Sequence, residues 1–98
     1  MSIDPASLEV RDNPDQKRFE VRVGEHLAIA EYLHSGDRII FSHTAVPPAL
    51  QGQGIGDALI RGALEQVKAR SLGVVAMCPF VAAYVAKHPE YAPLLRPW

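Results

Sequence analysis

The chain has 98 residues, of which 48% are hydrophobic and 21% charged, with a formal net charge of −1 and one cysteine. That length is one ordinary domain, and that hydrophobic share supports a packed core rather than a disordered chain. A balance this close to neutral supplies no field for a polyanion, which argues against nucleic acid as a partner. One cysteine leaves neither an intramolecular disulfide nor a zinc site built on several thiolates, in keeping with a reducing, cytoplasmic setting.

No apolar run approaches the roughly 20 residues of a membrane-spanning helix, so no membrane partner is expected. The opening Met1-Ser2-Ile3-Asp4-Pro5 has neither the basic nor the apolar region of a secretory signal. Residues 1–7 read as a flexible N-terminus and residues 8–98 as a single domain. Charge is uneven along the chain. Residues 1–50 hold 5 basic and 8 acidic side chains, a balance of −3, and residues 51–98 hold 5 basic and 3 acidic, a balance of +2. Ordinary surface charge accounts for this. The same split is compatible with an anion held by the second half.

Leu8-Glu9-Val10 is a possible first strand. Phe19-Glu20-Val21-Arg22-Val23 alternates apolar and charged residues, the pattern of a strand with one wet face. Strands over 27–34 and 38–44 follow, joined at Ser35-Gly36-Asp37 by a short hairpin connection. Residues 8–44 thus read as an antiparallel meander. Val46-Pro47-Pro48 ends it, because two prolines cannot donate to a ladder. After the glycines at 52, 54 and 56 the period becomes helical. Ile55, Leu59, Ala63 and Val67 recur every four residues, with Arg61, Glu65, Gln66 and Lys68 facing away. This helix runs to about Arg70. Val74 to Cys78 is an apolar run expected of a strand covered on both faces, and Pro79 opens a second helix that reaches Lys87. The crossover helix makes the strands on either side of it parallel. Tyr91 to Trp98 is a short tail in which Leu94, Leu95 and Trp98 pack back.

The glycine-rich turn is either a connection that merely turns the chain or a binding loop, and by itself it is a weak signal. Glycine allows positive φ and close backbone approach, and the first N–H groups of a helix have no partner within it. Together with the helix dipole they form a cradle for phosphate. No G-K-[ST] follows, and G-x-G-x-x-G is not matched, so nucleoside triphosphates and dinucleotides are disfavoured.

Val46-x-Pro48-x-x-Gln51-Gly52-x-Gly54-Ile55-Gly56 resembles the acetyl-CoA signature of the GNAT N-acetyltransferase superfamily. Cys78-Pro79-Phe80, Tyr84 and His88-Pro89-Glu90-Tyr91 resemble its very small, single-domain branch. The resemblance covers roughly residues 8–95. It implies a minimal α/β (α+β) GNAT fold, a mixed, mostly antiparallel sheet with two main helices, splayed where the strand ending near Val46 leaves the strand Val74–Cys78. It implies acetyl-CoA or CoA as the bound cofactor. Thr44, Ala45 and Val46 would meet the pantetheine through their backbone, and the amides of Gln51, Gly52, Gln53, Gly54, Ile55 and Gly56 would hold the pyrophosphate. Cys78, Phe80, Tyr84 and Lys87 complete the expected cofactor contacts. The acceptor would be a primary amine on a small molecule or peptide, and a monomer is the default.

Three groups are candidates for catalysis. Tyr84 lies in the helix that carries the family's acid, but the position aligned with that tyrosine holds Val85. One residue on a helix turns a side chain by about 100°, which favours a packing role. Cys78 ends a strand and precedes a helix N-terminus, a placement that favours the thiolate. A buried lone cysteine is equally a small apolar filler. In the small GNAT-like branch its counterpart faces the thioester, so an acetyl-Cys78 intermediate and direct attack both stay open. His43 leads into the thioester position and is a candidate base, although a half-exposed strand histidine without a chemical role accounts for it better. Histidine spacing gives no metal pair, and no metal is expected. A CoA- or acetyl-CoA-binding protein with little or no transferase activity, a sensor or an interaction module, is the alternative reading.

Overall fold

The computed structural model describes residues 8–97. The expected flexible N-terminus and the packing of Trp98 lie outside the described residues. Five strands form one sheet in sequential order, β1 (Arg11–Asn13), β2 (Arg18–Val23), β3 (His26–Ser35), β4 (Arg38–Ala45) and β5 (Gly73–Ala76). The first four are antiparallel neighbours, and β5 joins β4 in parallel. Helix α1 (Ile55–Ala69) is the crossover between β4 and β5, and α2 (Pro79–Lys87) follows β5. This is the mixed α/β sheet with two main helices expected from the sequence. Among the described residues no helix is long and apolar enough to cross a membrane.

The period-2 pattern sends Phe19 and Val21 of β2, Ala28, Ala30 and Tyr32 of β3, and Ile39 and Phe41 of β4 into one core. The alanines keep β3 low under the helix. From above, α1 contributes Ile55, Leu59, Ile60, Ala63, Leu64 and Val67, all essentially inaccessible. Phe19 packs tilted against both Tyr32 and Phe41, with ring centroids 5.2 and 6.0 Å away. From α2, Val81, Tyr84 and Val85 close the same core.

Four expectations are corrected. The first strand forms at Arg11–Asn13, not at Leu8–Val10. Leu8 and Val10 instead pack against the core, and Gln66 Nε2 donates to the Val10 carbonyl at 2.7 Å. That bond also turns Gln66 inward, so it does not face away as Arg61, Glu65 and Lys68 do. The strand expected to reach Cys78 stops at Ala76. The tail is a 3-10 turn over Pro89–Leu94. In it Leu94 packs on the core, while Leu95 is 41% exposed and bridges its backbone to Val74.

Polar ties between distant segments use tyrosine hydroxyls. The Tyr32 hydroxyl donates to Asp12 at 2.6 Å, and Arg70 donates to the other oxygen of the same carboxylate at 2.7 Å. Thus β1 is anchored to β3 and to the end of α1. The Tyr91 hydroxyl donates to Glu65 at 2.6 Å, fastening the tail to α1. Burial first, and then the carboxylate partner, push the hydroxyls of Tyr32 and Tyr91 above the ordinary tyrosine range. Burial, the largest cause, together with the charges of Asp57, Glu90 and Glu65, raises that of Tyr84 against the opposing charge of Arg61. Raised values in the folded state mean that stability is complete below about pH 10, the ordinary tyrosine value, and is lost as pH rises through the raised values. Tyrosinate absorbance is therefore expected to appear only as the protein unfolds at high pH. Ionisation near pH 10 with the fold intact would refute this picture of all 3 tyrosines.

Candidate functional site

The site begins where β4 and β5 part. Their pairing runs from Arg38 opposite Gly73 to Phe41 opposite Ala76. There the Phe41 carbonyl accepts from both Met77 N–H at 3.1 Å and Cys78 N–H at 2.9 Å. On its other edge β4 carries a bulge. Tyr32 of β3 opposes Phe41 and Glu31 opposes His43, so Ser42 is one residue extra. A bulge bends its strand and increases its twist. Beyond it His43, Thr44 and Ala45 pair only with β3, opposite Glu31, Ala30 and Ile29. Among the described residues no strand lies on their β5 side, and the splay expected from the sequence is present.

Next the chain makes a 3-10 turn over Pro48–Leu50 and enters the glycine loop. Gly52 and Gly54 have φ of +79° and +78°, a conformation that costs other residues about 1–2 kcal/mol. Gly54 is the N-cap of α1, with no side chain capping it. Two glutamines brace the loop from within, Gln51 Nε2 donating to the Val46 carbonyl at 2.9 Å and Gln53 Nε2 to Ala49 at 3.0 Å. The first helical bond is Ala58 N–H to the Gly54 carbonyl at 3.0 Å. The six N–H groups from Gly52 to Asp57 find no backbone acceptor among the described residues. They crown the positive end of a 15-residue helix.

A cleft of about 400 Å³ lies over this loop. Thr44, Val46, Gln51, Gly52, Gly54, Ile55, Gly56 and Phe80 line it, as do Leu50 and Asp57. Leu50 and Asp57 were not foreseen. Leu50 follows the proline pair and Asp57 the last glycine, and the helix N-terminus was the only signal for either. Ile55 gives its side chain to the core, and its N–H, in the first turn of α1, is one of those with no backbone acceptor among the described residues. Phe80, from the first turn of α2, forms part of the cleft wall. A Cβ on Gly56 would stand 2.7 Å from the Phe80 ring and 3.3 Å from Val46. The third glycine therefore makes room for an aromatic ring.

The remaining candidates separate. Cys78 is 4% exposed and is the N-cap of α2, and its Sγ lies 3.3 Å from Thr44 Oγ1. Ala45 ends β4, and exposed Gln53 stands in the loop. His43 is exposed on β4, opposite Glu31. Tyr84 is not in the loop cleft. It is buried, its ring stacks on His88 at 4.0 Å, and His88 Nδ1–H donates to the Tyr84 carbonyl at 3.2 Å. Both rings line a second cleft of about 580 Å³ beside Arg61, which meets the first at Gly54 and Asp57. Lys87 is exposed in the last turn of α2 and lines neither cleft. No cluster of metal-ligating side chains occurs among the described residues.

The packing of Phe80 on Gly56 gives a test. Gly56→Ala is expected to cost about 1–3 kcal/mol by overpacking, measured by urea denaturation. Adding Phe80→Ala, which removes the clashing ring, should recover most of the Gly56→Ala cost relative to Phe80→Ala alone. Independent, additive losses would contradict the contact.

Comparison with known proteins agrees with this geometry. The model of the family described as GCN5-related N-acetyl-transferase matches residues 18–94. The chain is 34% identical over 102 residues to the Protein NATD1 of Xenopus tropicalis, covering 98% of this chain and 94% of that one. It is 33% identical over 95 residues to the Homo sapiens Protein NATD1, covering 92% and 84%. The solution NMR structure of a GCN5-like protein from Staphylococcus aureus superposes with a TM-score of 0.70 at 25% identity, over 95% of this chain and 92% of that one. With its parted parallel strands and its glycine-capped helix, the chain belongs to the GCN5-related N-acetyltransferase family.

Proposed function

We propose that the chain binds acetyl-CoA in the loop cleft and transfers the acetyl group to a primary amine. The observation that carries this reading is that two unsatisfied sets of backbone groups, the open edge of β4 after Phe41 and the N–H groups from Gly52 to Asp57, border one cleft. An extended pantetheine arm carries amides that pair with a strand edge as another strand does. A pyrophosphate suits consecutive N–H groups at a helix N-terminus. Thr44, Ala45 and Val46 hold the arm, and the loop from Gln51 to Gly56 holds the phosphates. The donor brings the activated thioester, and the chain supplies placement and proton handling.

Cys78 carries the acetyl group between donor and acceptor in this reading. Its sulfur attacks the thioester carbonyl, the bond to the CoA sulfur breaks, and the thiol proton leaves with the CoA thiolate. The amine then attacks the acetyl-cysteine and returns the thiol. Tyr84 lines the other cleft and is buried against His88. The acetyl-cysteine route does not call on Tyr84 as a general acid. His43, exposed one position before Thr44 on β4, is the candidate base for the amine proton in this reading.

Thermal unfolding with CoA and with acetyl-CoA tests the binding. Saturation at about 100 times Kd adds about 2.7 kcal/mol of stability. Intact-mass analysis after incubation with acetyl-CoA should find one acetyl group, absent from Cys78→Ala. No stabilisation by either ligand would contradict the cofactor reading. Stabilisation with neither an acetyl-protein nor an acetylated amine would leave a CoA-binding protein without transfer.

A further inference from the structure

We infer that the Thr44 hydroxyl is the positioning group for the Cys78 thiol, an inference that rests on the acetyl-carrier reading of Cys78. The main chain at Cys78 is already pinned. Its N–H is held by the Phe41 carbonyl at 2.9 Å, and φ −73° with ψ 125° makes it the N-cap of α2. Only the single side-chain torsion is left to choose where the sulfur points, among three staggered wells. Thr44 chooses. It stands two residues past the bulge, on the stretch of β4 that β5 has left, and its Oγ1 is 3.3 Å from Sγ. Thr44 also lines the loop cleft, whose lining does not include Cys78, so the contact ties a buried sulfur to a residue of the cleft wall.

The hydroxyl has a second use once the sulfur is charged. A thiol and a hydroxyl can each donate to the other, but a thiolate only accepts, so Thr44 then donates to sulfur. The proton lost from sulfur leaves on the departing CoA thiol, and Thr44 itself exchanges no proton. A merely space-filling residue here would be valine, which matches threonine in shape and lacks the hydroxyl.

The experiment compares Thr44→Val with Thr44→Ser. The first readout needs no cofactor: the rate at which iodoacetamide alkylates Cys78 in the folded protein, followed by intact mass. Thr44→Val should slow alkylation about three- to tenfold, the worth of one such hydrogen bond, while Thr44→Ser stays within about twofold of the parent. Equal rates for Thr44→Val and parent, or an equal loss in both variants, would overturn the inference. The second readout is the rate of Cys78 acetylation by acetyl-CoA, expected to follow the same order. A parent protein that alkylates as described but takes no acetyl group would sink the carrier reading and leave the role of Thr44 standing.

Discussion

Everything in this molecule turns on the parting of β4 from β5 at Phe41. A parallel pair wants to continue, since each further residue satisfies another backbone group. Here two devices stop it. Ser42 is the bulged residue that bends β4 while it stays paired to β3. The Phe41 carbonyl takes the N–H of both Met77 and Cys78, so β5 ends and turns into α2. The price is a stretch of β4 paired on one side only. That stretch is what a ligand with amide groups of its own can complete.

The rest of the chain holds this opening in place. The buried face of α1 lies across β2, β3 and β4, which fixes the helix N-terminus beside the end of β4. The glycine loop is tied back by its own side chains, Gln51 donating to Val46 and Gln53 to Ala49. Packing against Gly56, Phe80 connects the start of α2 to the start of α1. Away from the opening, Tyr32, Asp12, Arg70, Tyr91 and Glu65 bind the termini of the described segment to the core. These part-buried and exposed polar contacts hold the ends, where the chain would otherwise fray.

Much of this was legible in residue order. Alternation at Phe19–Val23, the proline pair at 47–48 and the four-residue spacing from Ile55 to Val67 marked β2, the end of β4, and α1. The crossover rule gave the parallel sense of β5. Other features left no mark. The bulge falls on Ser42, with neither glycine nor proline to announce it. Gln66 looks like any outer-face residue until the Val10 carbonyl is brought to it. Tyr84 sits one residue from the family position, and whether that sends it to the loop or to the second cleft depends on how α2 packs. Phe80 over Gly56 and Thr44 beside Cys78 are contacts between segments 24 and 34 residues apart, and no local pattern encodes them.

The central claim is that the open edge of β4 and the amides of the loop form one binding surface for acetyl-CoA. Backbone amide resonances followed by NMR during titration with acetyl-CoA test it most directly. The account predicts that the largest shifts fall together, with one binding isotherm, on His43 to Val46 and on Gly52 to Asp57, while β1 and β2 stay unchanged. Saturable binding whose shifts avoid both segments, or that moves the loop while His43 to Val46 do not respond, would contradict it.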